Sequence, residues 1–375
     1  MKRYFNLLPQ IVSWPNLLQA AERARRGRRQ RPDVLRFQFD LESSLLQIRS
    51  QLLQAHWTPG PMNSFEVHDP KCRLISAAPY ADRVVQQAIC GVIEPLFERS
   101  FIFDSWACRS GKGQHAAIQR ARRMLRKFPW VLKTDIRRYF PSIDHDLLMQ
   151  RLARTIGDRS VLELLEIIIR HPWPGQQRCR TFPGDDLFTL LERTCGLPIG
   201  NLTSQLCGNL YLDENDHWLQ QALRVPGYLR YMDDLVIFGP SKQFVVDTLY
   251  RLRDRMQSLR LHLHPTKTQI QPSRCGLKFL GYHISTQSIR PVPETVTRFR
   301  RKLRSLQKLY DQNNILLTDL QQIVASYWGH FQQAGTPNRF RIILNDFPFF
   351  RDLCREIEAQ RQFKRQNRER SLRSR

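Results

Sequence analysis

The stretch YLRYMDDLVIF (residues 228–238) sets two adjacent carboxylates, Asp233 and Asp234, inside an otherwise apolar run. Burying a carboxylate is unfavourable unless something positive sits beside it. Aspartate is also common in turns, where its side chain bonds the local backbone, so the pair alone says little. A third carboxylate changes the reading. Asp135, well upstream, closes the apolar segment of LKTDIRRYFPSID (residues 132–144). Two strand ends carrying carboxylates, side by side in an antiparallel sheet, make an oxygen-rich site for hard divalent cations. Mg²⁺ suits such a site, and Mn²⁺ is possible. Two ions about 3.5–4 Å apart can activate an attacking hydroxyl and stabilise a leaving phosphate oxygen.

The elements that must position these groups follow from periodicity. Strand-forming residues flank the Asp pair, and Gly227 and Gly239-Pro240 bound it, which predicts a β-hairpin with the carboxylates at its turn. Residues 130–136 read as a strand delivering Asp135. Phe65, Val67, Leu74 and Ile75 predict a short hairpin with Lys71 and Arg73 near its tip. Apolar residues recurring every three to four positions predict a helix over 82–97 and another within 110–128, after a Gly-containing turn, and further helices over 144–155 and 160–170. The Pro- and Gly-containing segment 171–195 reads as loop, and a further helix starts around 202–204. His262 and His264 alternate as strand residues do, which is simpler than metal ligation. Residues 276–284 read as a strand pair. Beyond Pro291 and Pro293 the pattern is helical only, with Thr318-x-x-Gln321 as a capping box. No internal repeat is visible.

The totals narrow the class of partner. A chain of 375 residues with 41% hydrophobic residues can build a core and has room for one large domain or a few smaller ones. Its formal charge of +25 points to a polyanion, with nucleic acid favoured over an anionic membrane surface. No apolar run approaches the ~20 residues that span a bilayer, and the N-terminus does not read as a signal peptide. The eight cysteines form no C-x-x-C pair and read as free thiols of a reducing compartment, so a cytoplasmic location is expected. AERARRGRRQR (residues 21–31) is either a solvated helix end or a phosphate-tracking arm; the overall charge favours the arm. Candidate nucleic-acid contacts are therefore Arg25, Arg26, Arg28 and Arg29, with Lys112 in SGKG and Lys364 and Arg365 in a basic, disordered tail. A cation-holding carboxylate cluster on a basic chain fits a nucleic-acid 3′-hydroxyl as nucleophile.

Taken in order, the hairpin from residue 64, SGKG, DIRRYF, GLPIGNLTSQ, YMDD and KFLG resemble a reverse transcriptase. The resemblance implies an α+β fold with a right-hand arrangement: a basic helical extension (1–60), fingers (61–128), an antiparallel palm (129–285), a helical thumb (286–350) and a basic tail (351–375). It implies that Asp135 and Asp233, with the Ile136 carbonyl, hold the metals and that Asp234 acts less directly. It implies that Lys71 and Arg73 grip the incoming triphosphate and that Lys267 lies near the site. Phe140 matches the aromatic that closes off a ribose 2′-hydroxyl, so the product should be DNA; the plainer alternative is a core aromatic. Ile199-Gly200 with Gln205, in place of the common Gln-Gly…Pro pattern, is similar to reverse transcriptases of diversity-generating retroelements, relatives of the group II intron and retron enzymes. Those copy a template RNA with errors at adenines. The resemblance implies template RNA, a primer or cDNA strand and dNTPs as partners, and suggests a basic accessory protein. Gly208 departs from the alanine usual in relatives. Two other readings remain: another bacterial reverse transcriptase (retron, intron-like or phage-defence type) of ordinary fidelity, and a non-catalytic RNA-binding module.

Overall fold

The computed structural model describes residues 2–68, 72–174, 176, 181–350 and 353. In chain order the helices α1 (Leu8–Ile11), α2 (Trp14–Arg25), α3 (Pro32–Phe39) and α4 (Leu41–Leu53) come first. The strands β1 (Asn63–His68) and β2 (Cys72–Ala77) follow, then α5 (Tyr80–Glu98), α6 (Gln114–Lys127), β3 (Trp130–Asp135), α7 (Tyr139–Ser142), α8 (His145–Thr155) and α9 (Arg159–Arg170). Next are α10 (Leu187–Glu192), α11 (Leu202–His217), β4 (Gly227–Tyr231), β5 (Asp234–Gly239), α12 (Lys242–Ser258) and β6 (Gln269–Pro272). The chain ends with β7 (Leu277–Phe279), β8 (Tyr282–Ile284), β9 (Ile289–Pro291), α13 (Pro293–Asp311), α14 (Leu317–Gln333) and α15 (Pro337–Asn345). This is the expected α+β class. No helix among the described residues is long and apolar enough to cross a membrane.

The chain divides into two compact units, residues 1–117 with 130–271, and 118–129 with 272–375. In the first, a four-stranded sheet runs in the order β4-β5-β3-β6, with both β3 and β4 antiparallel to β5. Leu132, Leu235 and Ile237 on one face are fully buried, as are Val131, Val236 and Phe238 on the other, so both faces of the sheet are covered. The outer edge of β4 is covered as well: Arg230 donates its N–H to the Asp104 carbonyl, and Trp106 donates to the Arg230 carbonyl, both at 2.9 Å. That removes the open edge on which another chain could pair. Helix α11 is buried on almost every side, which marks it as a core helix rather than an amphipathic surface one. Helices α8 and α9 are started by Asp144 and Asp158, whose side chains accept from Leu147 and Val161 N–H groups.

The second unit has a three-stranded antiparallel sheet, β7-β8-β9, and a helical core. Phe299, Leu303, Leu306, Leu320, Phe331 and Phe340 are buried together, and the rings of Phe299 and Phe340 stack with centroids 5.2 Å apart. Pro293 opens α13 at a position where a missing N–H is harmless.

Several expectations need correction. Segment 171–195 is not all loop: α10 lies in it, started by a reciprocal capping box between Asp186 and Thr189. The Thr318–Gln321 capping box does not form. Helix α14 begins two residues earlier, with Leu316 at the cap and no side-chain cap bond, so Thr318 is already inside the helix. His262 and His264 are not in a strand. Leu263 forms a single bridge to Ile136, and Pro265, lacking an N–H, follows at once. Strand β9 had no expectation behind it. Residues 354–375 lie outside the described residues.

Candidate active site

Asp135 is the last residue of β3, and Asp234 the first of β5. The register makes them direct cross-strand partners, which puts their side chains on one face of the sheet. Asp233 sits in the tight turn between β4 and β5. Met232, just before it, is held at φ 56°, a left-handed conformation that non-glycine residues rarely adopt. Strain of this kind persists only where the surroundings impose it, and here they do. The Ile136 N–H donates to the Asp233 carbonyl at 3.1 Å. Arg230 Nη1 donates to the Met232 carbonyl at 3.3 Å.

Arg230 is fully buried, and so is its partner Asp216 on α11. The contact is bidentate, with Nε to Oδ1 at 2.9 Å and Nη2 to Oδ2 at 2.6 Å. Tyr228 donates its hydroxyl to Asp216 Oδ1 at 2.6 Å, and Asn209 Oδ1 accepts from Arg230 at 3.1 Å. Burial opposes the guanidinium's charge, but the Asp216 carboxylate outweighs it, so Arg230 stays firmly protonated. A pair this buried is a poor source of net stability and a good source of fixed geometry. It fastens the turn that carries Asp233 to the core helix.

The electrostatics of the cluster ask for cations. Burial, then the Asp234 and Asp135 carboxylates, push the Asp233 carboxyl up to about 6. Burial also raises Asp234, partly offset by the Lys133 ammonium, with Asp135 adding to the rise. Two lysines stand where neutralising charge is needed. Lys267 Nζ is 2.6 Å from Asp135 Oδ2, and Lys133 Nζ is 3.5 Å from Asp234 Oδ1. The segment bearing Lys267 is itself tied to β3: His264 N–H donates to the Asp135 carbonyl at 2.6 Å and Arg137 N–H to the His262 carbonyl at 2.8 Å. Three carboxylates within electrostatic reach of one another at paired strand ends, one of them raised well above its ordinary value, are donors of the kind a hard divalent cation takes. Asp135, Asp233 and Asp234 could therefore hold a divalent cation.

The other sequence-predicted residues fall in different places. Arg73 is exposed on β2, opposite Val67, while Lys71 lies outside the described residues, as do Lys364 and Arg365. The Ile199 carbonyl accepts from the Ser76 N–H of β2 at 3.0 Å, so the segment before α11 docks on the strand that carries Arg73. Gly200 is required there. Its φ is 128°, and an added Cβ would lie 3.0 Å from the Ser76 carbonyl oxygen. Gln205 is exposed in the first turns of α11. Phe140 is half-buried on α7 and reaches Gly208 of α11, where Met232 also arrives. Lys112 is engaged locally: its Nζ lies 3.5 Å from the Phe103 ring centroid and donates to the Phe103 carbonyl at 2.8 Å. Arg25 and Arg29 both pair with Glu22, while Arg26 is exposed and Arg28 half-exposed.

Sequence reasoning missed Arg230, Asp216 and Lys133. A signal existed for the first: an arginine at an inward position of an apolar strand needs a buried acid. It also missed that Glu66, His68 and Cys72, all exposed, place ligand atoms within 4.8 Å of one another.

Residues 67–284 match the family described as reverse transcriptase (RNA-dependent DNA polymerase). The chain is 26% identical over 289 residues to protein YkfC of Escherichia coli (strain K12), covering 66% of this chain and 72% of that protein. It is 23% identical over 184 residues to the group II intron-encoded protein LtrA of Lactococcus lactis subsp. cremoris, covering 48% of this chain and 29% of LtrA. Among solved structures, an apo telomerase from Candida tropicalis aligns with a TM-score of 0.44 and 13% identity, over 62% of this chain and 54% of that one.

Proposed function

The chain belongs to the reverse transcriptase (RNA-dependent DNA polymerase) family, and from that premise we propose that it copies a template RNA into cDNA in a diversity-generating retroelement, with errors concentrated at template adenines. The observation that carries the catalytic part is the gathering of Asp135, Asp233 and Asp234 at paired strand ends, with Asp233 pushed up to about 6. These residues and the Ile136 carbonyl would hold two divalent ions. Such ions lower the pKa of an attacking hydroxyl and neutralise a leaving phosphate.

The chain's own residues do the rest. Arg73, with Lys71, offers charge and hydrogen-bond donors to the triphosphate of a dNTP. The Phe140 ring takes the space a ribose 2′-hydroxyl would need. The Arg230–Asp216 pair holds the strained turn, so that Asp233 would hold a cation without reorganising. Lys267 neutralises Asp135 before the site is filled and remains beside it to steady phosphate charge. The basic arm, thumb and tail would track phosphates of the template RNA and the primer or cDNA strand, without sequence preference and with strong salt dependence. A small basic accessory protein is a further expected partner.

The error-prone part rests on Ile199 and Gln205. A glutamine at 199 could hydrogen-bond the incoming nucleotide and penalise misplacement; isoleucine cannot, and one such contact contributes about 1 kcal/mol. The similarity to a group II intron-encoded protein favours a second reading, an intron-like bacterial reverse transcriptase of ordinary fidelity.

The test is to sequence cDNA made from an RNA template containing all four bases, with Mg²⁺ and dNTPs, using Asp233→Asn as control. Metal-dependent cDNA with errors clustered opposite adenine supports the first reading. Metal-dependent cDNA with low, even errors moves the assignment to the second. Product retained in Asp233→Asn refutes the catalytic assignment, and no product from the parent under any metal leaves a binding module.

A further inference from the structure

Gly208 lies in the middle of a buried helix, where glycine is unfavourable beside alanine because it adds backbone freedom to the unfolded chain and packs no side chain. Its backbone is helical, so conformation gives no reason for it. What surrounds it does. A Cβ at this position would lie 3.1 Å from Met232 Sδ, and 3.3 and 3.5 Å from Phe140 Cε1 and Cζ. All three atoms are far ends of side chains, so the methyl is not forbidden; something has to yield by tenths of an ångström.

The helix is not the part that yields. Tyr139 donates its hydroxyl to the Gly208 carbonyl. Arg230 holds the Asn209 carbonyl and side chain at 3.3 and 3.1 Å, and Asn209 Nδ2 is bonded to the Ala107 carbonyl at 2.8 Å. With α11 pinned, the half-buried Phe140 ring is the group with room to move, and it moves away from the helix. Met232, buried and held in its left-handed turn, is pressed at the residue before Asp233.

We propose that Gly208 is a specificity-determining residue: its missing Cβ leaves the Phe140 ring and the Met232 thioether slack, and that slack relaxes selection of the incoming nucleotide. The inference rests on the reading of Phe140 as the group that excludes a ribose 2′-hydroxyl. A tighter ring rejects a 2′-hydroxyl better and tolerates less displacement of a mispaired sugar. Gly208 touches no substrate; it acts through Phe140.

The experiment compares the full chain with Gly208→Ala, Phe140→Ala and the double variant. It measures kcat/KM for dNTP against rNTP, and for correct against mismatched dNTP, on an RNA template with Mg²⁺. Gly208→Ala is expected to raise both ratios about 3- to 10-fold, at or below the lower end of what one methylene does in a pocket. Phe140→Ala is expected to lower the sugar ratio. In the Phe140→Ala background the methyl has no ring to press, so its effect on the sugar ratio should vanish, as a direct contact requires. If Phe140→Ala admits ribonucleotides while Gly208→Ala leaves both ratios unchanged or lowered, the inference fails and the gate stands. If Phe140→Ala leaves the sugar ratio unchanged, the reading beneath it fails. An equal effect of Gly208→Ala in both backgrounds marks a general structural change and also overturns the proposal. Should Gly208→Ala not fold, Gly208→Ala with Phe140→Leu returns the crowded volume; failure of that pair to fold refutes the contact.

Discussion

Asp233→Asn is expected to make the metal-free protein more stable at pH 8 while abolishing its response to Mg²⁺. The carboxyl is pushed from an ordinary 3.8 to about 6, roughly two pH units, and each unit corresponds to about 1.4 kcal/mol. That gives an upper figure of roughly 3 kcal/mol; partial exposure and solvent screening reduce it to about 1–2 kcal/mol. The sign follows from proton binding. The folded state holds this proton more tightly than the unfolded chain does. The group's contribution is therefore fully present below about pH 4 and is lost as pH rises towards about 6. Above that, the ionised carboxylate is crowded against its neighbours until a cation arrives. Asparagine is neutral and nearly the same size, so it removes the crowding. The variant should melt a few degrees higher than the parent at pH 8, about 2–4 °C per kcal/mol for a domain of some size. At pH 4 the two should differ little. Mg²⁺ should stabilise the parent by mass action and leave the variant unmoved. Calorimetry with EDTA and then with Mg²⁺, at pH 4 and pH 8, reads all four quantities. A variant less stable than the parent at pH 8, or one with an unchanged Mg²⁺ shift, would refute the idea that Asp233 is a strained metal ligand.

Three further outcomes are expected. Ile199→Gln should lower errors opposite template adenine, read by sequencing the cDNA; an unchanged error spectrum would remove this residue from the account of fidelity. Asp216→Ala leaves the Arg230 guanidinium buried without its carboxylate and should destabilise the fold by about 3–5 kcal/mol, measured by denaturant unfolding; a loss under 1 kcal/mol would mean that water reaches Arg230. Deleting residues 355–375, which hold eight basic and three acidic residues by the sequence, should weaken RNA binding and flatten its salt dependence, since each phosphate contact adds close to one unit of slope. An unchanged slope would make that segment a bystander.

Much of the secondary structure was legible because it is local. The stripe of α5 and the strand-forming runs around the Asp pair are fixed by which neighbours are apolar, and β1 with β2 reads the same way. The failures were also local. Segment 171–195 hid α10 among prolines, and Thr318 looked like a cap although the chain turns helical just before it. Both are choices between near-equal alternatives that tertiary packing decides.

What the sequence determined by itself is chemical inventory: an excess of basic charge, three carboxylates at the ends of strand-like runs, and an aromatic five residues after Asp135. Residue type and short-range pattern carry that information directly. Only the tertiary structure decided which groups meet. The register pairs Asp135 with Asp234 rather than with Asp233. Lys267 reaches Asp135 across 132 residues of chain, and Arg230 finds Asp216 on the core helix. Phe140 and Met232 converge on a glycine. Each of these depends on strand register and helix docking. A one-residue slip in a strand turns every side chain to the other face, and no local propensity encodes that choice.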